Sequence, residues 1–389
     1  MPSRVSRLTV TNMVLAALLF LAACGHEGVG LSTSATPERT GGTGKLALLI
    51  PYGDENRSEL INLASSLENG ARLALSDLDA DGIELTVYET KGSVSGATSA
   101  ARRALAEGAD VIIGPVFKDS SRAVAEIAAE QGVSVFSFSN DASIVGGNLY
   151  VLGHTFENSA ERIIEHATRR GKRNILSVHA LNEQGHSGQL AILNALERGG
   201  SVLSGNVSYE FSLQGVVDAV PEIAAATDET QADLLIFTAD TAGALSMLGQ
   251  LLPESGVDTQ RVQFSGLTRW DIPASNLENR GLQGGWFPMP DPNLSASFAY
   301  RYRYVYNEPP HPIAGLAYDA VLVANSVLRS GGRPDPRELQ AAEGFFGATG
   351  LFRFTGTGRI QRALAIAEVK NNRAEVISPA PRSFADGAL

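Results

Sequence analysis

The chain has 389 residues, a formal charge of −11 from 31 basic and 42 acidic side chains, and one cysteine. The acidic balance argues against nucleic acid, and against charge-driven binding to anionic lipid; a lone cysteine excludes a disulfide framework. Beyond the N-terminal region about 340 residues remain, enough for two lobes with separate cores.

Arg4 and Arg7 form a positive n-region, Met13 to Leu21 is apolar, and Leu21-Ala22-Ala23-Cys24-Gly25 follows. The pattern is that of a secretory signal peptide, and its apolar run is shorter than the roughly 20 residues a permanent span needs. The ending is similar to a bacterial lipobox. Residues 1–24 are therefore expected to be a lipoprotein signal peptide, with Cys24 lipidated as the first mature residue and its lipid the membrane contact. Gly25, where an acidic residue would resemble an inner-membrane retention signal, leans towards the outer membrane. Residues 25–43 are dominated by Gly, Ser, Thr and Pro, which cannot bury enough surface to fold, so they read as a flexible tether.

From Lys45 the sequence alternates strand and helix patterns. Lys45 to Pro51 is a continuous apolar run, expected of a strand buried on both faces. Leu60, Leu63, Ala64, Leu67, Ala71, Ala74, Leu75 and Leu78 repeat with helical spacing. Strands at 83–89, 111–113 and 133–138 alternate with helices at 97–107 and 120–131, the last with Asp119 as N-cap and Gly132 as stop. A second series starts near His154: helices at 159–170, 187–198, 216–226 and 239–250, and strands at 174–179, 202–209, 233–238 and 262–264. Alternation of this kind predicts an α/β protein with parallel sheets covered by helices on both faces. Near the end, 351–354 and 363–369 flank Thr355-Gly356-Thr357-Gly358-Arg359 and read as an antiparallel hairpin.

The ordered set Leu46 to Pro51, Val87 to Ser93, Ala109 to Pro115, Gly132 to Ser137, Ala317-Tyr318-Asp319-Ala320, Gly350 to Phe354 and 359–369 resembles the type I periplasmic binding proteins, in their leucine-binding-protein-like branch. The resemblance implies two Rossmann-like lobes joined by three hinge crossings, with ligand held between them. The crossings are placed at 152–155, 266–271 and 333–344. Lobe one is then 44–153 with 270–335 returning to it, and lobe two 154–269 with 345–378 returning to it. Ile113-Gly114-Pro115-Val116-Phe117-Lys118 also looks like the penicillin-binding protein activators, outer-membrane lipoproteins that stimulate a peptidoglycan synthase. The partners implied are a small-molecule ligand and either an ABC permease or a peptidoglycan synthase. The amino-acid binders tend to carry Tyr in the loop after the first strand of lobe two, where this chain has Asn182-Glu183-Gln184-Gly185-His186. They commonly place an acidic residue in the segment matching 265–270, where this chain offers Thr268 and Arg269, with Asp271 only further along. Free amino acids are therefore expected to bind poorly.

No reaction chemistry or cofactor is legible. The histidines lack His-Glu-x-x-His spacing, and His179 with His186 is a weak metal hint. Gly42-Thr43-Gly44-Lys45 precedes a strand, whereas a phosphate loop must follow one. No nucleophile elbow is present. The chain is expected to be a non-catalytic binding protein. Its cleft candidates follow strand ends: Ser120, Ser121, Ser139, Asn140 and Asp141 on one side, with Thr268 or Trp270 facing them.

Overall fold

The computed structural model describes residues 43–54, 57–239 and 244–384. The expected signal peptide with Cys24, and the tether as far as residue 42, lie outside the described residues.

The first lobe runs β1 (Gly44–Ile50), α1 (Ser58–Asp77), β2 (Ile83–Glu89), α2 (Val94–Ala106), β3 (Val111–Ile113), α3 (Lys118–Ala129), β4 (Ser134–Ser137) and β5 (Leu149–Val151). Its strands form one parallel sheet in the order β2-β1-β3-β4-β5. The unbroken apolar run of β1 has a direct cause. Leu46, Leu48 and Ile50 pack with Leu60, Leu63, Ala64 and Leu67 of α1. Ala47 and Leu49 face the opposite layer, with Ala97, Ala101 and Ala104 of α2. A strand covered on both sides has no polar face to show.

The second lobe runs α4 (Phe156–Arg169), β6 (Asn174–Ala180), α5 (Glu183–Gly199), β7 (Val202–Tyr209), α6 (Leu213–Glu229), β8 (Leu234–Phe237), α7 (Ala244–Glu254), β9 (Gln263–Gly266) and β10 (Trp286–Met289). The chain returns to lobe one with α8 (Pro292–Tyr306), α9 (Ala314–Arg329), α10 (Pro336–Leu339), β11 (Phe345–Gly347), β12 (Gly350–Phe354) and β13 (Ile360–Arg362). It ends with β14 (Ala365–Lys370) and β15 (Arg373–Ser378) in the second sheet, whose order is β15-β14-β10-β9-β8-β6-β7.

Three expectations are corrected. The second crossing is not at 266–271: β10 pairs with β9 and β14, so 270–289 stays in lobe two and the chain leaves after Met289. The third is not at 333–344: Leu339, Phe352, Phe354 and Ile360 belong to the lobe-one core, and the change of lobe comes between β13 and β14. The Gly-rich turn joins β12 to the short β13, whereas the apolar stretch at 365–369 pairs in a different sheet. An apolar run carries no mark of which sheet it joins, and that is why these three escaped.

At the first and third crossings the chain is tied by buried polar groups. Arg362, 1% exposed, forms an ion pair with Asp319 at 3.3 Å and donates to Thr349 Oγ1 and to the Leu152 carbonyl, both at 2.5 Å. Its backbone N–H donates to Asn158 Oδ1 at 2.5 Å, and the Asn158 amide donates to the Ile360 carbonyl at 3.1 Å. Arg162 donates to the Leu364 carbonyl at 2.6 Å. Asp319 and Thr349 of lobe one thus hold the strand that leads into lobe two.

Candidate functional site

The loops that follow β3, β4 and β9, the first crossing and the end of β10 enclose a cavity of about 520 Å³ between the lobes. This is the carboxyl edge of the parallel strands of both sheets, β14 and β15 being antiparallel additions to the second, and there backbone groups and helix starts lie open to a ligand. The volume falls in the usual range for small-molecule sites, roughly 300–1,000 Å³.

Lobe one supplies Phe117, Lys118, Phe138 and the run Ser139, Asn140, Asp141, with Ile313 and Leu316 beneath. The 139–141 loop is held by its own hydrogen bonds. Ser139 N donates to Ser137 Oγ at 2.9 Å, Asp141 N to Ser139 Oγ at 3.2 Å, and Ser143 N to Asp141 Oδ1 at 2.8 Å. Burial works against the Asp141 carboxylate, but hydrogen bonds from Ser143 and Lys118 outweigh it and hold its pKa below the ordinary value. Gly153 lets the first crossing pass close to this loop, because a Cβ there would sit 2.4 Å from the Ser139 carbonyl.

Lobe two supplies Phe156, Gln184, Leu267, Thr268, Arg269 and Met289. Thr268 Oγ1 donates to the Ala239 carbonyl at 3.3 Å. Arg269 grips Asp271 with two nitrogens, at 2.6 and 2.5 Å. His154, on the first crossing, also lines the cavity. Desolvation and the nearby Arg362 and Arg269 push its pKa well down, so the imidazole is neutral. At the mouth, Lys118 Nζ joins the lobes: it lies 2.9 Å from Asp141 of lobe one and 2.5 Å from Glu183 of lobe two. Those two partners, Glu183 first, raise its pKa to about 12.

Of the sequence candidates, the structure brings Ser139, Asn140, Asp141 and Thr268 to the cavity and leaves out three. Ser120 and Ser121 are buried, at 3% and 0% exposure. The helix starts at Lys118, two residues earlier than the N-cap reading assumed, so its first turn carries both serines inward. Ser121 Oγ donates to the Phe117 carbonyl at 2.8 Å and meets Ser137 Oγ at 2.6 Å. Trp270 is fully buried and stacks on Phe287, with centroids 6.0 Å apart. It fills space left by Gly266 and Gly285, where a Cβ would come within 2.4 and 2.2 Å of the indole. It is a core residue of lobe two. Lys118, His154, Gln184 and Arg269 were not among the candidates. The departure from the family pattern at 182–186 and at Thr268-Arg269 was the signal that could have pointed to Gln184 and Arg269. His179 and His186 lie with rings 5.6 Å apart, and among the described residues no group of three or more side chains could hold a metal ion.

A family model described as periplasmic binding protein matches residues 58–374. The chain belongs to the periplasmic binding protein family. Its members bind solutes and are not enzymes. No curated protein sequence matches this periplasmic binding protein. Solved structures share its fold. A branched-chain amino acid ABC transporter periplasmic ligand-binding protein from Burkholderia xenovorans is 16% identical, with 87% of this chain and 96% of that one covered and a TM-score of 0.70. An ABC transporter substrate-binding protein from Desulfitobacterium hafniense in complex with Leu is 16% identical, covering 86% and 100%, at 0.65. A solute-binding protein from R. palustris in complex with benzoate is 18% identical, covering 90% and 99%, at 0.59.

Proposed function

We propose that this periplasmic binding protein captures a small carboxylate with an apolar body in its interlobe cavity. One observation carries the reading. Among the described residues no carboxylate lining the cavity is left for a ligand ammonium, because Asp141 is committed to Lys118 and Ser143. Asp271, next along, is committed to Arg269. Hydrogen-bond donors do remain. Arg269 Nη1 and the side-chain amides of Asn140 and Gln184 have no partner among the described residues. The walls are apolar: Phe117, Phe138, Phe156, Leu267, Met289 and Leu364. A carboxylate accepts from such donors at one end and packs its hydrocarbon at the other. The benzoate complex of the R. palustris protein fits this chemistry, while the Leu complex of the D. hafniense protein marks the competing ligand class.

Delivery to an ABC permease is the partner reading. Leu181 and Phe211, on the neighbouring loops after β6 and β7, and Leu213, at the start of α6, are 44%, 65% and 67% exposed, and the loops are joined by Leu181 N donating to the Tyr209 carbonyl at 2.8 Å. Such a patch at the lobe-two rim suits a protein partner. The same patch suits the second reading, a regulatory lipoprotein docked on a peptidoglycan synthase. Transport requires ligand uptake that depends on the protein; the regulatory role requires a raised synthase rate in its presence. For the anchor, we propose that the lipid on Cys24 holds the protein to a membrane. The Cys24→Ser variant should leave the membrane fraction, and retention there would refute the anchor.

The cavity itself is tested by thermal shift with benzoate, phenylacetate and 4-methylpentanoate. A ligand at about 100 times its Kd adds roughly 2.7 kcal/mol of stability. The shift should shrink in Arg269→Met and in the double variant Asn140→Ala/Gln184→Ala. A hit unmoved by both would place the site elsewhere.

A further inference from the structure

The central cavity does not end at the Lys118 cluster. A second cavity of about 550 Å³ continues from it, and Lys118, Asn140, Asp141, Phe156 and Gln184 line both. Beyond those shared residues its walls are Ser143, Glu157, Glu183, Ser187, Leu190 and Asn194, together with Arg359. The two cavities differ in chemistry. Among the described residues, Lys118, Asp141 and Arg269 are the ones lining the central cavity that carry charge, since His154 is neutral. The side cavity holds the carboxylates of Asp141, Glu157 and Glu183 against the cations of Lys118 and Arg359. Asp141 and Glu183 are spent on Lys118. Glu157, half-buried in the first turn of α4, has no partner among the described residues. The Asn194 amide in the same wall is also without one.

A ligand confined to the central cavity has nowhere to place a positive charge. A ligand that also reaches past Phe156 and Gln184 meets the Glu157 carboxylate and the Asn194 amide, with the Arg359 guanidinium in the same wall and Glu161 beside both charges. We infer that the side cavity is a second subsite, and that it takes the amino end of a short peptide whose terminal carboxylate and apolar side chain occupy the central cavity. The inference rests on the carboxylate reading of that cavity. Glu157 accepts from the peptide ammonium. Asn194 and Gln184 satisfy the intervening peptide groups, which would otherwise lose their water without compensation. Peptide length is set by the span between the cavities, so both a dipeptide and a tripeptide are offered.

The experiment is calorimetry on the full-length protein with 4-methylpentanoate, Ala-Leu, Ala-Ala-Leu and the N-acetylated form of each peptide, repeated on Glu157→Gln. At least one free peptide should bind tenfold or more tighter than both its acetylated form and 4-methylpentanoate. Glu157→Gln should remove the preference for the free amine and leave 4-methylpentanoate binding unchanged. If 4-methylpentanoate binds and the peptides bind no tighter, the side cavity is a solvent-filled vestibule; the inference then fails while the central reading stands. If a free peptide wins but Glu157→Gln changes nothing, the assignment of the amino end is wrong. If no carboxylate binds, both fall together. Far-UV circular dichroism of Glu157→Gln, expected to match the parent, separates a lost contact from a lost fold.

Discussion

At the hinge, the Arg362 guanidinium reaches Asp319, Thr349 and the Leu152 carbonyl, and only Nε is left over. In the cleft alongside, the amides of Asn140 and Gln184 and one nitrogen of Arg269 reach no described partner. The contrast separates two uses of polar side chains. Where polar groups are buried and held by several fixed partners, they define the geometry of the crossing. Where they face an open cavity wall among aromatic and aliphatic side chains, without a protein partner, they are free to exchange water for a ligand. The hinge should therefore govern stability and the cleft should govern affinity, with little exchange between them.

The largest expected effect tests the hinge side. Arg362→Met leaves Asp319 buried without its cation, and removing one partner of a buried pair typically costs about 3–5 kcal/mol. Urea denaturation of Arg362→Met should show a loss of that order. The double variant Arg362→Met/Asp319→Asn should recover part of it, because the stranded charge is gone. A single variant within about 1 kcal/mol of the parent would break the contrast.

A smaller effect comes from the apolar core of lobe two. His166 packs edge-on against Trp286 with centroids 4.8 Å apart, and burial followed by the nearby Arg162 lowers its pKa from 6.5 to about 4. The unfolded chain takes up this proton near pH 6.5 and the folded protein only near pH 4. Stability is therefore complete above about pH 6.5 and declines towards pH 4, by about 2–3 kcal/mol from this residue. Urea denaturation at pH 7 and pH 4.5 should show the decline, with a shallower slope for His166→Phe. An identical slope in the two proteins would assign the acid sensitivity to other groups.

The smallest stability effect is expected at the cleft mouth. Lys118 is 31% exposed and Glu183 80%, and exposed pairs contribute no more than about 1 kcal/mol. Lys118→Ala should leave the urea midpoint almost unmoved. It should nonetheless loosen the contact between the lobes, read as a larger radius of gyration in small-angle scattering and a faster ligand off-rate. A large stability loss without change in either reading would make Lys118 a structural residue like Arg362.

How much of this was legible follows the same division. The two-sided burial of β1 and the inward stripe of α1 were written in apolar spacing, which depends only on neighbours along the chain. The second and third crossings were not, because the run Trp286–Met289 and the run Ala365–Lys370 look like any buried strand and their sheet is decided by partners far away in sequence. At the site, Ser139, Asn140 and Asp141 were found because they directly follow a strand. Ser120 and Ser121 were misplaced by a helix start two residues early, which turns a residue from the cleft to the sheet. Trp270 was misread for a similar reason: its socket is made by two glycines on either side of it, and their absent side chains leave no trace in a composition argument. Glu157 carries no sequence signal beyond an acid in the first turn of a helix.

The central claim is that the cavity between the lobes holds a carboxylate and an apolar body but offers nothing to an α-ammonium. Leucine and 4-methylpentanoate differ only by that group, so calorimetry of the two against the full-length protein is the most direct test. An ammonium denied a charge partner at a buried site typically loses about 3–5 kcal/mol, a factor of several hundred or more in affinity. The account predicts that 4-methylpentanoate binds and that leucine binds no tighter than about millimolar. Micromolar binding of leucine, tighter than that of 4-methylpentanoate, would contradict it.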